Sequence, residues 1–155
     1  MRHAHAGDRD SWHGEDRLRP LSEKGRLQAV GLVRLMEGAA LGRVMSSPYL
    51  RCVETVEPLA AARAMSVEEE PALAEGSDWH DTLALIEHAE TPAVLCSQGD
   101  VIGELISSLV AAGLLASSEA RWQKASTWVM VVEDGEIRSA DYLSPPAGGQ
   151  RGSSR

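Results

Sequence analysis

Residues 93–97, Ala-Val-Leu-Cys-Ser, form a run that is almost wholly apolar and far shorter than a helix. Such a run reads as a strand buried on both faces, the setting of a parallel sheet covered by helices. Arg43–Ser46 and Ser66–Glu68 are further short strand candidates. Helix-period segments separate them. The first has Ser22 as N-cap and Leu27, Val30 and Leu35 as its apolar run. The second follows Pro48, with Val53, Val56, Leu59 and Ala60 on one side. Residues 81–89 and Val101–Leu115 are the other two. Thr127–Glu133 and Glu136–Tyr142 flank Asp134-Gly135, a strong hairpin signal. The expected fold is α/β: a three-layer α/β/α sandwich with a mostly parallel, mixed sheet. One domain is expected over residues 1–143, followed by a Pro/Gly/Ser-rich tail at 144–155 that is expected to be disordered.

Charge and composition narrow the partners. The net charge of -8 repels a nucleic-acid backbone, so no nucleic-acid partner is expected. A small anionic substrate needs only a local basic pocket. The two cysteines, Cys52 and Cys96, form no CxxC pair and no disulfide framework, which fits a reducing compartment. The opening residues lack the apolar core of a signal peptide, and no apolar run approaches the roughly 20 residues of a membrane span. A cytoplasmic protein without a membrane partner is expected.

Ligands of such sheets bind beyond the carboxyl ends of the strands. The polar residues expected there are Arg2 and His3 at the N-terminus, Ser47, Pro48 and Arg51 after the first strand, and Gln98, Gly99 and Asp100 after residues 93–97. Arginine forks match phosphate oxygens, and helix N-termini favour anions. Histidine can act as a nucleophile. Together they point to phosphoryl chemistry without a metal or other cofactor. A metal held by His3 and His5 is the weaker reading, because no carboxylate or histidine cluster completes it and Arg2 would repel a cation.

Four blocks, in order, resemble the histidine phosphatase superfamily, whose fold is phosphoglycerate-mutase-like. They are Arg2-His3-Ala4; Arg19-Pro20-Leu21-Ser22 with Gly25 and Gln28-Ala29; Ser46-Ser47-Pro48-Tyr49-Leu50-Arg51 with Thr55; and Cys96-Ser97-Gln98-Gly99-Asp100-Val101-Ile102. The resemblance implies that His3 is the nucleophile that becomes phosphorylated. Arg2 and Arg51 would clamp the phosphoryl oxygens, with Gln98 and Gly99 beside them. Arg9 falls where relatives use a polar phosphate contact. Glu75 lies near the place of the acid that protonates the leaving group. The chain also resembles SixA-type phosphatases, and the phosphatase half of actinobacterial MutT-type Nudix hydrolases through Trp12, Gly14, Asp16 and Arg19-Pro20-Leu21. That implies a small phosphorylated substrate such as a nucleotide, and a Nudix domain in cis or in trans as partner.

The sequence departs from the family pattern twice. Gln98 stands where the family has a second histidine; its amide keeps a donor and loses the charge. Losing one charge-assisted bond costs about 1.5–3 kcal/mol, or one to two decades in rate. The family's apolar first strand is also nearly absent before Arg2. The reading expects either a start assigned one strand late or a piece of a longer fusion. Two other functions remain open: a SixA-like protein phosphohistidine phosphatase, and a pseudoenzyme that binds phosphorylated ligands without turnover.

Overall fold

In the computed structural model, which describes residues 1–147, three short strands form a parallel sheet in the order β2-β1-β3. They are β1 (Arg43–Ser46), β2 (Val67–Glu69) and β3 (Ala93–Cys96). Val44 pairs with Val67 on one side and with Val94 on the other. Four helices connect and cover them: α1 (Glu23–Leu35), α2 (Leu50–Ala62), α3 (Trp79–Glu87) and α4 (Gly99–Ala111). The fold is α/β, as the alternating pattern requires. Among the described residues no helix is long and apolar enough to cross a membrane.

Each helix forms where its signals lie. The Ser22 hydroxyl accepts from the Gly25 N–H at 3.1 Å and caps α1. α4 begins at Gly99, two residues earlier than expected, and ends at Ala111 ahead of Gly113, whose φ of +78° continues no helix. His80, expected in a loop, lies in the first turn of α3, where the Asp78 carboxylate caps the helix by accepting from the His80 N–H.

The expected apolar run of α1 faces outward. Leu27, Val30 and Leu35 are exposed, and the buried face is Gly25, Gln28, Ala29 and Leu32. The cause is close backbone packing. A Cβ at Gly25 would lie 1.9 Å from the His5 carbonyl oxygen. Gln28 Oε1 accepts from the His5 N–H at 2.9 Å. α1 thus meets the N-terminal segment through small and polar residues. In α2 the inner face is Cys52, Val56, Leu59 and Ala60, together with Arg51 and Thr55. Val44 and Cys96 of the sheet complete a cluster with Cys52, Val56 and Ala60.

The hairpin β4 (Thr127–Glu133) and β5 (Glu136–Leu143) is a separate two-stranded sheet. Its turn residues Asp134 and Gly135 both have positive φ, 54° and 73°, the conformation that an Asp-Gly turn supplies. Ile137 packs with Ile102, Ile106 and Leu109 of α4. Residues 1–4 join the hairpin to the parallel sheet. On one side the His3 N–H donates to the Ser97 carbonyl at 3.1 Å and Ser97 N–H to that of Met1 at 3.0 Å. On the other, Arg2 N–H donates to the Ser126 carbonyl and Ala125 N–H to that of His3, both at 3.0 Å.

Beyond Met1 the two sheets diverge around a groove of about 580 Å³, lined by Val94, Leu95, Ile106, Trp128, Met130 and Val132 among others. This corrects the expected double-sided burial of residues 93–97. Ala93, Val94 and Leu95 are only partly buried because the outer edge of β3 meets the groove. Residues 144–147 form no helix or strand, and Pro146 lies against Gly31 of α1. The remainder of the expected tail, 148–155, lies outside the described residues.

Candidate active site

His3 sits at the end of the joining segment, 4% exposed. Its Nδ1 donates to the Ala4 carbonyl oxygen at 2.7 Å. A carbonyl only accepts, so the proton resides on Nδ1 and Nε2 keeps a lone pair. The backbone is held just as firmly. Ala4 N–H donates to Thr55 Oγ1 at 2.9 Å, and Thr55 donates to the Arg51 carbonyl at 2.6 Å. One side chain thereby ties the histidine segment to the turn of α2 that carries Arg51.

Two guanidiniums flank the ring. Arg51 is 1% exposed. It donates from Nη1 to the Asp16 carbonyl oxygen (2.9 Å) and from Nη2 to Asp16 Oδ2 (3.1 Å) and Glu75 Oε2 (3.4 Å). Arg2 donates from Nη1 to the Trp122 carbonyl oxygen at 2.9 Å. Its guanidinium lies across Gly99, where a Cβ would stand 2.8 Å from Cζ. Gly99 is therefore required for space, so that the arginine can cross the start of α4. Gln98 occupies the N-cap position of α4 but its side chain makes no capping bond. It is 2% exposed, and neither amide atom has a partner. Arg2 Nε and Arg51 Nε are buried and unpartnered as well. Buried polar atoms are rarely left unpaired, so this concentration of idle donors around one imidazole describes a seat for an anion.

Burial pushes the His3 ring down to about 3; the Ala4 carbonyl opposes this, while Arg51, Arg2 and Lys124 reinforce it. The ring is consequently a neutral nucleophile well below neutrality. Its ring nitrogens should show no titration between about pH 5 and 8 by NMR. Linkage fixes the sign of the stability effect. The unfolded chain takes up this proton below about pH 6.5 and the folded chain only near 3. His3 therefore leaves stability intact above pH 6.5 and lowers it as pH falls from about 6.5 towards 3. A midpoint near 6.5 for this ring would overturn both statements.

At the mouth, Arg9 and Glu75 form a 2.7 Å ion pair. Asp16 gathers Arg19 (3.1 Å), Arg51 (3.1 Å) and Arg9 (3.5 Å). Burial works against the Asp16 charge, but the Arg19 hydrogen bond and the three guanidiniums outweigh it and hold the carboxyl low. All the expected residues are thus brought to one place: His3, Arg2, Arg51, Gln98 and Gly99 at the base, Arg9 and Glu75 at the rim. Three further residues join them. Asp16 and Arg19 lie in a stretch whose spacing was visible but whose role was not. Lys124 lies in a loop with no motif. Among the described residues no group of three or more His, Cys, Asp or Glu is placed to hold a metal ion.

The family model for the histidine phosphatase superfamily (branch 1) matches residues 1–87, more than half of the chain. The chain belongs to the histidine phosphatase superfamily. It is a phosphatase by that membership. An 8-oxo-(d)GTP phosphatase of Mycolicibacterium smegmatis is 38% identical over 152 residues, covering 94% of this chain and 47% of the relative. The chain thus spans about half the length of that protein. Among solved structures, the protein histidine phosphatase SixA complexed with tungstate superposes with a TM-score of 0.69 at 21% identity, covering 94% of this chain and 93% of that one. A SixA from Agrobacterium tumefaciens gives 0.74 at 21% identity, with 94% and 96% covered. These two establish the histidine phosphatase fold of the chain.

Proposed function

We propose that this phosphatase hydrolyses a phosphate ester or anhydride of a small substrate, a nucleotide, through a phosphohistidine at His3 and without a metal. The observation that carries the reading is the free Nε2 of His3 beside the unpartnered Nε atoms of Arg2 and Arg51 and the idle amide of Gln98. In the first step Nε2 bonds to phosphorus and the bond to the leaving oxygen breaks. Arg2, Arg51 and the Gln98 Nε2 hold the phosphoryl oxygens. Incoming phosphate competes with Asp16 and Glu75 for Arg51. Glu75, displaced from Arg51 by the phosphate, takes a proton from solvent and hands it to the leaving oxygen. Water then attacks phosphorus, returns a proton to Glu75 and frees phosphate and His3. The M. smegmatis relative supports a nucleotide substrate, and we place a Nudix domain beside the chain in cis or in trans.

The test is phosphate release from a panel of nucleotides, generic monoesters and a phosphohistidine peptide, all with excess EDTA. Turnover of nucleotides that survives EDTA is expected. Preference for the peptide would establish the SixA-like reading instead. Binding of phosphate by folded protein without any turnover would establish a pseudoenzyme, with the uncharged Gln98 as its cause.

A further inference from the structure

The Arg51 guanidinium has one edge occupied and one edge open. Nη1 donates to the Asp16 carbonyl oxygen at 2.9 Å and Nη2 to Asp16 Oδ2 at 3.1 Å, so the backbone and side chain of one residue take the far end of the fork. The Tyr49 ring lies against one face, its centroid 4.9 Å from Cζ. The other edge is the one shared by Nε and Nη2, which can grip an oxyanion with parallel N–H groups. On that edge Nε is buried and, among the described residues, without a partner. Nη2 meets Glu75 Oε2 there at 3.4 Å, long for a charged pair.

The two carboxylates are anchored differently. Asp16 opens a short 3-10 turn, Asp16–Leu18, and accepts from Arg19 twice, the N–H on its carbonyl and Nε on Oδ1, both at 3.1 Å. Arg19 is buried and donates from Nη1 to the Ala6 carbonyl oxygen at 2.6 Å. The turn is thus tied to the segment that carries His3. Glu75 is held more tightly by Arg9, at 2.7 Å, than by Arg51, and Arg9 is exposed. Glu75 can leave Arg51 and keep its stronger contact. Resting on the phosphatase reading above, we propose that Asp16 is a positioning residue, which holds Arg51 by its far end so that the Nε–Nη2 edge stays open to the phosphoryl group, and that Glu75 is the latch on that edge. Of the two carboxylates that compete for Arg51, the arriving phosphate displaces Glu75 and leaves Asp16 in place. Coulomb repulsion alone would make both carboxylates weaken anion binding. Under this assignment they act with opposite signs.

The experiment is calorimetry with inorganic orthophosphate on the parent, Asp16→Asn, Glu75→Gln, Arg51→Lys and the double variant Asp16→Asn with Arg51→Lys, each checked for folding by circular dichroism. Glu75→Gln should bind orthophosphate about threefold or more tightly, because the latch is weakened. Asp16→Asn should bind it about tenfold more weakly, because an amide N–H turned towards the guanidinium releases Arg51. Lysine lacks the fork, so in the Arg51→Lys background Asp16→Asn should cost less than about twofold. Tighter or unchanged binding in Asp16→Asn, no gain in Glu75→Gln, or an equal loss in both backgrounds, the sign of a merely structural role, overturns the proposal. If Asp16→Asn does not fold, Asp16→Glu, which keeps the charge and shifts it by one methylene, carries the same expected weakening. Orthophosphate binding needs no turnover. A parent and variants that bind as expected but turn over no substrate would sink the phosphatase reading and leave the assignment of Asp16 standing.

Discussion

His3→Ala should release phosphate at least about a thousandfold more slowly than the parent, the scale on which loss of a nucleophile is felt. No other imidazole is placed to replace it. His5 lies at the rim with its Nδ1 2.7 Å from Ser22 Oγ, His13 is exposed in the segment between Trp12 and Gly14, and His80 and His88 are exposed on or beside α3. The variant should nevertheless fold. The side chain contributes one hydrogen bond, from Nδ1 to the Ala4 carbonyl, worth about 1 kcal/mol. The backbone bonds of His3 to Ser97 and Ala125 remain. Two readouts make the result specific. Circular dichroism should match that of the parent. Parent enzyme quenched during turnover should carry acid-labile, base-stable phosphate on the peptide containing His3, and the variant should carry none. A folded His3→Ala protein with parental turnover would mean that water attacks directly and that the orphaned donors alone perform the chemistry.

Part of this site was legible because the chemistry sits at strand ends, and strand ends are marked by short apolar runs. Arg43–Ser46 led to Arg51, and residues 93–97 led to Gln98 and Gly99. The role of Gly99 needed coordinates. Its spacing shows a glycine, but only the Arg2 guanidinium lying across it shows what the missing Cβ makes room for. The buried face of α1 was illegible for a physical reason. Periodicity reports large apolar residues, whereas this helix approaches the His5 backbone through Gly25, Gln28 and Ala29. Lys124 left no trace because nothing near it repeats or alternates. It is delivered by two backbone hydrogen bonds, Ala125 N–H donating to the His3 carbonyl and Arg2 N–H to the Ser126 carbonyl, contacts that depend on the whole topology.

Placing five Val- and Ile-rich residues ahead of Met1 should raise the melting temperature by about 10 °C. Among the described residues two strand edges face each other across the groove without a partner. β3 is the last strand of its sheet and β4 an edge of the hairpin. Met1, Arg2 and His3 already satisfy both neighbours at one end of the gap, parallel to β3 through the Arg2–Ser97 bridge and antiparallel to the start of β4. The Met1 amine points onward to the Leu95 carbonyl oxygen at 2.6 Å. A strand continuing in that direction would run beside Leu95, Val94 and Ala93 and beside Trp128 to Val131, through the groove they line. Each buried Val or Ile contributes about 1.5–3 kcal/mol, and ordering each residue opposes this by about 1–2 kcal/mol. Five residues paired on both edges leave a net gain of about 3 kcal/mol, and a chain of this size gains about 2–4 °C for each. An extension of equal length with proline at its second and fourth positions cannot donate to the ladder and should leave the melting temperature unchanged. Amide exchange gives the sharper reading. The Ala93, Leu95 and outward-facing β4 amides should become protected only with the apolar extension. Equal melting temperatures for the two extensions would show that the groove binds no strand, and that the two sheets are joined by residues 1–4 alone.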